Sequence, residues 1–169
     1  MMTETRAKKK AGRKIRLLLT DVDGVLTDNG VYYSDAGEQM KRFSIRDGMG
    51  VERLRAIADI ETGIITGEMS GSVIKRAEKL QIGELHLGIK DKMKRLEEIM
   101  ERKKITWDEI AYLGDDVNDL EVMQKAGIAA CPADAMSMVR EIAHFVCENK
   151  GGDGAFREFA EWLIACRND

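Results

Sequence analysis

Leu17-Leu18-Leu19-Thr20-Asp21-Val22-Asp23-Gly24-Val25-Leu26-Thr27 is the stretch whose reading decides the fold. An apolar run ends abruptly in two carboxylates one residue apart, followed by a glycine. A short apolar run bounded by turn chemistry reads as a buried strand, so the acids stand at its mouth rather than in its core. Two like charges this close are costly unless a cation lies between or beside them. Mg²⁺ is the natural candidate, because it takes hard oxygen ligands and often joins one or two carboxylates to a substrate phosphate.

Outward from that strand the chain alternates. Asp28-Asn29-Gly30 has the composition of a hairpin turn, and residues 31–45 read as a β-hairpin inserted after the first strand, with a second turn at Ser34-Asp35-Ala36-Gly37-Glu38. From Gly48, the positions Val51, Leu54, Ile57 and Ala58 recur at helical spacing. Residues 62–66 form a short apolar segment ending in Thr66-Gly67. Val73, Ile74, Ala77 and Leu80 mark a helix from about Ser70, and residues 84–87 are a further strand. Met93, Leu96, Ile99 and Met100 form the buried stripe of a helix opening at Lys92. Thr106 and Glu109 fit a capping box. Residues 110–113 run into Gly114-Asp115-Asp116-Val117-Asn118-Asp119, a helix carrying Leu120, Val122 and Met123 ends near Gly127, and residues 128–130 are another strand. This alternation predicts an α/β domain, Rossmann-like, with a mostly parallel sheet and helices on both faces, plus the inserted hairpin. One domain spans residues 15–169, and residues 1–14, with Arg6, Lys8, Lys9, Lys10, Arg13 and Lys14, read as a mobile basic tail.

The 169-residue chain is long enough for a substantial core, with 44% apolar and 34% charged residues. A formal charge of −3 offers no general attraction to nucleic acid or to anionic membranes. No stretch approaches the length of a membrane span, and the apolar run after the basic segment is too short for a signal peptide. Cys131, Cys147 and Cys166 have no metal-ligand spacing, and an odd number argues against a disulfide framework; they read as buried thiols of a cytoplasmic protein. His86 and His144 read as structural, and Trp107 and Trp162 as packing residues. A Gly-x-x-x-x-Gly-Lys-Ser/Thr loop is absent, which disfavours a nucleotide triphosphatase.

In open parallel sheets ligands bind outside the carboxyl ends of the strands. Asp21 and Asp23, Thr66, Lys92, and Asp115 with Asp116 all fall at or just beyond such ends. The set suits phosphoryl transfer, which needs a metal, a cation on the nonbridging oxygens, hydrogen-bond donors and an in-line nucleophile. Asp21, Asp23 and Asp115 would create the Mg²⁺ position. Lys92 supplies positive charge for a phosphate oxygen, and Thr66 supplies a donor. A carboxylate can attack phosphorus and split hydrolysis into two displacements. Asp23 would protonate the leaving alkoxide and then draw a proton from water. Each feature alone has an ordinary structural reading: Thr66-Gly67 as a turn, Lys92 as a surface lysine, Gly114-Asp115-Asp116 as a helix-start cap.

Asp21-Val22-Asp23-Gly24-Val25-Leu26-Thr27, Ile65-Thr66-Gly67, Lys92 and Gly114-Asp115-Asp116-Val117-Asn118-Asp119 together resemble the four motifs of the haloacid dehalogenase superfamily. The resemblance implies Asp21 as nucleophile and metal ligand. It implies Asp23 as acid/base with its carbonyl on the metal, and Asp115 as a further ligand. Thr66, Gly67 and Lys92 would bind the phosphoryl group, with Asp116, Asn118 and Asp119 supporting the metal and Lys92 from nearby. Within the superfamily the chain resembles the small branch without a cap domain that dephosphorylates 2-keto-3-deoxy sugar acids. The hairpin after the first motif, Arg46-Asp47-Gly48, and the tail Gly151-Gly152-Asp153-Gly154-Ala155-Phe156-Arg157-Glu158 carry that resemblance.

The branch implies a homotetramer in which a neighbouring copy closes each site, with Arg46, Asp47, Gly48, Arg76, Gly152 and Gly154 near the substrate. A single domain without a lid cannot by itself exclude water or grip a sugar. Glu68 stands where the eight-carbon enzymes, the octulosonate 8-phosphate phosphatases, usually carry arginine, and Glu68 with Lys79 resembles the nine-carbon branch. That resemblance favours 2-keto-3-deoxynononate 9-phosphate as substrate, with 3-deoxy-D-manno-octulosonate 8-phosphate as the alternative. Non-enzyme alternatives are a phospho-Asp receiver domain and a regulatory subunit. A receiver, however, keeps its phosphoacceptor apart from its acid pair, whereas here a second acid cluster follows the lysine.

Overall fold

The structure, a computed structural model, describes residues 4–168, with side chains from residue 8 onward. Its frame is a six-stranded sheet in the order β5-β4-β1-β6-β7-β8, with every pairing parallel. In chain order the strands are β1 (Leu17–Thr20), β4 (Glu61–Ile65), β5 (Glu84–His86), β6 (Ile110–Leu113), β7 (Ile128–Cys131) and β8 (Phe145–Val146), while β2 (Thr27–Ser34) and β3 (Gly37–Phe43) form the separate antiparallel hairpin. The helices are α1 (Glu4–Gly12), α2 (Ile45–Arg53), α3 (Gly71–Leu80), α4 (Lys92–Lys103), α5 (Leu120–Lys125), α6 (Ser137–Ile142) and α7 (Ala155–Asn168). None of the described helices is long and apolar enough to cross a membrane.

β1 is central and buried on both faces, which is why its apolar residues are continuous rather than alternating. Leu18 joins the core beneath α2, α3 and α7 with Val51, Leu54, Phe156 and Phe159. Leu17 and Leu19 join the opposite core with Leu96, Ile99, Tyr112 and Met123. Met93, Met100 and Trp107 pack against the second core, as the sequence implies, and Trp162 stands 5.3 Å from the Phe145 ring. His144 Nδ1 accepts from the Ala129 N–H at 2.9 Å, and the three cysteines are buried thiols.

Three local expectations are corrected. Asp28-Asn29-Gly30 is not the hairpin turn. It lies inside β2, where the left-handed Asn29 (φ 67°) coincides with a shift of pairing register between Thr27 and Val31. The chain reverses only at the second expected turn, over residues 34–37, where the Ala36 N–H donates to Ser34 Oγ and Gly37 adopts φ 101°.

The following helix starts at Ile45, three residues before Gly48, because Ser44 is extended and its hydroxyl accepts from the Asp47 N–H.

The segment expected as a mobile tail contains α1; residues 1–3 lie outside the described residues. The helix has a partner in α7. Gly12 lies so near Cys166 that a Cβ would stand 2.7 Å from its sulfur, and Arg167 donates to the carbonyls of Arg13 and Ile15 at 2.8 and 2.7 Å. Those contacts come from residues more than 150 positions away in the chain, so composition near the N-terminus gives no sign of them.

Candidate active site

The first acid is fixed by the sheet. β1 delivers Asp21 beyond its last residue, where the Asp21 N–H donates to the Leu113 carbonyl of neighbouring β6 at 3.0 Å. β6 delivers Asp115 in the same way after Gly114. Asp21 and Asp115 are 5% and 8% exposed, and an oxygen of each lies within 4.8 Å of the other and of Asp119.

Two glycines make this closeness possible. Gly24 takes φ 80°, and a Cβ there would stand 2.0 Å from Asp115 Oδ2. A Cβ on Gly114 would meet the Asp119 carboxyl at 2.6 Å.

Asp119 belongs to the same cluster but has a different task. Its Oδ1 accepts from Lys92 Nζ at 2.7 Å and from the Tyr112 hydroxyl at 2.6 Å. Its Oδ2 accepts from the N–H groups of Asp115 and Asp116 at 3.0 and 3.4 Å. Both oxygens are committed, so Asp119 positions Lys92 and the Asp115 backbone rather than offering a ligand atom. Lys92 is buried and also pairs with Asp21 Oδ2 at 3.1 Å. Asp91 caps α4 by accepting from the Lys94 N–H, which sets Lys92 at the start of the helix. Asp116 caps the turn after β6, with its carboxyl accepting from the Val117 N–H.

A cleft of about 190 Å³ opens over the acids. It is lined by Asp21, Asp23, Asn29, Thr66, Gly67, Glu68, Asp115, Asp116 and Asn118. Thr66 is buried at the end of β4, its N–H bound to the His86 carbonyl at 3.0 Å. Its hydroxyl accepts from the Glu68 N–H at 3.3 Å, which shapes the turn after β4.

The electrostatics ask for one more cation. Burial, and then the Asp119 charge, push the Asp21 carboxyl up to about 6 in spite of Lys92. Burial followed by the charges of Asp21, Asp119 and Asp116 pushes Asp115 up to about 8. Burial works against the charged form of Lys92, yet Asp21 and Asp119 outweigh it and hold its pKa above the usual value. One ammonium therefore leaves negative oxygen uncompensated between Asp21 and Asp115. Magnesium fits this donor set: the Asp115 carboxyl accepts no hydrogen bond from the described residues, and beside it Asp21, whose Oδ1 accepts from the Val22 N–H at 2.7 Å and whose Oδ2 pairs with Lys92, keeps further lone pairs at the mouth of a polar cleft.

Of the residues singled out from sequence, Asp21, Asp23, Thr66, Gly67, Glu68, Asp115, Asp116 and Asn118 line the cleft, with Lys92 and Asp119 directly behind it. The others are not brought to it within one chain. Asp47 is buried, and its Oδ1 accepts from the Arg157 N–H at 2.9 Å, tying α2 to the start of α7. A Cβ on Gly48 would strike the Arg76 guanidinium at 2.5 Å. Arg76 itself donates to the Ser44 carbonyl at 2.7 Å and lies over the Phe43 ring. Arg46 is exposed on α2, and Lys79 is exposed in the last turn of α3.

Gly152 and its neighbour Gly151 back the loop that follows Asp21. The Gly152 N–H donates to the Val25 carbonyl at 2.9 Å, and a Cβ on Gly151 would stand 1.9 Å from the Gly24 carbonyl. Gly154, with φ 109°, turns the chain into α7. Sequence reasoning missed Tyr112, concealed in an apolar strand, Asn29, taken for a turn residue, and Lys41, whose Nζ is 2.5 Å from Asp23 Oδ1.

Comparison with known proteins relates the chain to one family. Residues 80–159 match the family described as haloacid dehalogenase-like hydrolase. The 3-deoxy-D-manno-octulosonate 8-phosphate phosphatase of Yersinia pestis is 37% identical over 154 residues, covering 91% of this chain and 82% of that protein. The enzyme of the same name from Escherichia coli strain K12 is 39% identical over 150 residues, covering 89% and 79%. The structure of the Moraxella catarrhalis octulosonate 8-phosphate phosphatase, solved with a magnesium ion, a phosphate ion and a KDO molecule, superposes with a TM-score of 0.91 at 31% identity, covering 95% of this chain and 92% of that one.

The raised carboxyls make metal and proton competitors. Without metal, Asp115 holds a proton more tightly in the folded than in the unfolded chain. Its stabilisation is therefore complete below the ordinary carboxylate pKa of about 4 and is lost as pH rises through about 8. A magnesium ion held by Asp115 would replace that proton, so the increase in melting temperature from saturating Mg²⁺ over chelator should grow steadily from pH 5 to pH 8. An increment independent of pH would contradict this assignment of the metal's ligands.

Proposed function

The chain belongs to the haloacid dehalogenase-like hydrolases and is a magnesium-dependent phosphoric monoester hydrolase, and from that premise we propose that it hydrolyses 3-deoxy-D-manno-octulosonate 8-phosphate through an aspartyl phosphate on Asp21. The observation that carries the reading is the Asp21 carboxylate, held between Lys92 and the Asp115 side at the floor of an open polar cleft.

In this mechanism Asp21 and Asp115, with the Asp23 carbonyl, would hold magnesium, which shields the charge of the phosphoryl oxygens. Lys92, the Thr66 hydroxyl and the Gly67 N–H bind those oxygens and align phosphorus with Asp21. Asp21 attacks phosphorus as the ester bond breaks, while Asp23 gives its proton to the departing oxygen. Asp23 then takes a proton from water as that water attacks phosphorus, and Asp21 is freed. Asp116, Asn118 and Asp119 hold the lysine and the second acidic loop in place.

The eight-carbon substrate now stands first. The nine-carbon expectation rested on Glu68 and Lys79 and finds no support among the relatives described above, which carry the octulosonate name. Of that pair, only Glu68 lines the cleft. Lys79 is exposed in the last turn of α3, on the far side of the helix's length from Ser70.

The hairpin supports the further proposal of a homotetramer. Tyr32, Tyr33 and Met40 are 61%, 68% and 57% exposed on β2 and β3, a concentration of apolar surface that suits burial against other copies. In such an assembly a neighbour would cover the open cleft, and Arg46, Arg76 or Lys79 of one copy would approach the site of another. Buried thiols suit a reducing cytoplasm, where we place the protein.

Phosphate release from a panel of sugar acid phosphates with Mg²⁺ tests the substrate. Octulosonate 8-phosphate should be the preferred ester, and a preference for the nine-carbon ester would return the reading to Glu68. Asp21→Asn should lower turnover by about a thousandfold or more, the scale of removing a nucleophile, and an active Asp21→Asn protein would refute the covalent route. Light scattering should return four times the chain mass of 18.9 kDa, and Tyr33→Glu should yield smaller species. A wild-type monomer would end the assembly proposal.

A further inference from the structure

The hairpin is exposed along most of both strands, yet it buries one charged side chain. The Lys41 side chain on β3 is only 3% exposed, and its Nζ stands 2.5 Å from Asp23 Oδ1 and 3.6 Å from Glu38 Oε2. Glu38 in turn accepts from the Ser70 hydroxyl, which caps α3 by accepting from the Val73 N–H. One chain of polar contacts thus joins the loop after β1, the hairpin and the helix that follows the Thr66-Gly67-Glu68 turn. A buried ammonium is costly unless tightly paired, and a lysine at the end of a flexible stem loses rotamer freedom when it is fixed. Nothing in the hairpin's own packing requires that expenditure, since the exposed Met40 and Arg42 flank Lys41 on either side.

We propose that Lys41 is a positioning residue for proton transfer by Asp23. Its ammonium engages Asp23 Oδ1, while Oδ2 takes no hydrogen bond from the described residues and is left for the ester oxygen at the cleft. Lys41 itself does not line the cleft, so it acts through Asp23 rather than on substrate. This inference rests on the acid/base role of Asp23 given above. As the Asp21–phosphorus bond forms and the ester P–O bond breaks, the Asp23 proton passes to the departing oxygen and an alcohol leaves. A misdirected carboxyl slows that transfer only where the leaving oxygen needs a proton. An alkoxide does, and p-nitrophenolate does not.

The test is single-turnover release of the leaving group by the full-length protein with Mg²⁺, comparing octulosonate 8-phosphate or another alkyl phosphate with p-nitrophenyl phosphate. Lys41→Met should slow alcohol release by about tenfold to a hundredfold, the scale of a misplaced general acid, and leave the nitrophenolate burst within about twofold. Lys41→Arg should recover part of the loss. Melting temperature and Mg²⁺ affinity, measured on the same variants, report the integrity of the fold. An equal fall for both esters, or no fall for either, would overturn the role of Lys41 while leaving the phosphatase reading intact. A wild-type protein that turns over p-nitrophenyl phosphate but no alkyl phosphate would defeat the substrate reading as well.

Discussion

Asp21, Asp115 and Asp119 gather negative charge in a space with one internal countercharge among the described residues, Lys92. Everything else about the active end of the sheet follows from keeping those groups close without allowing them to cancel. Lys92 is shared between Asp21 and Asp119, at 3.1 and 2.7 Å. Asp119 is saturated by the Tyr112 hydroxyl and two backbone N–H groups. Asp21 and Asp115 are left buried with too little positive charge beside them, and burial first, then the neighbouring carboxylates, raises their pKa values. A divalent cation and a phosphoryl group would complete the balance: the cation would answer the carboxylates and leave Lys92 available to the phosphate.

Holding like charges together requires stiff surroundings. The parallel sheet supplies part of that stiffness, since β1 and β6 are hydrogen-bonded neighbours and bring their terminal acids side by side. The C-terminal glycine turn supplies more. Gly151 and Gly152 sit against the carbonyls of Gly24 and Val25, so the end of the chain braces the loop that carries Asp23. Asp47 fastens the same region from α2, by accepting from the Arg157 N–H at the start of α7. These residues resemble a substrate motif in sequence, and within one chain their contacts are with the scaffold behind the site.

How much of this was legible in the sequence differs by residue. The apolar run of β1 and the acids after it were readable because a buried strand must be apolar and its end need not be. Thr66, Lys92 and Asp115 were readable for the same reason, each marking the end of a strand or the start of the next helix. Lys41 was not, because its partner lies 18 residues away across a hairpin whose register depends on a bulge at Asn29. Tyr112 was hidden because a tyrosine in a strand is ordinary core until its hydroxyl is seen to meet Asp119. The helix over residues 4–12 escaped because its stabilising partners, Cys166 and Arg167, lie at the opposite end of the chain.

The measurement that bears most directly on the charge balance is a crystal structure grown with Mn²⁺ in place of Mg²⁺, located by its anomalous scattering. The account predicts one peak within bonding distance of Asp21 and Asp115 oxygens, with Lys92 still paired to Asp119. A peak on Asp119 with Lys92 displaced, or none between Asp21 and Asp115 at saturating metal, would contradict it.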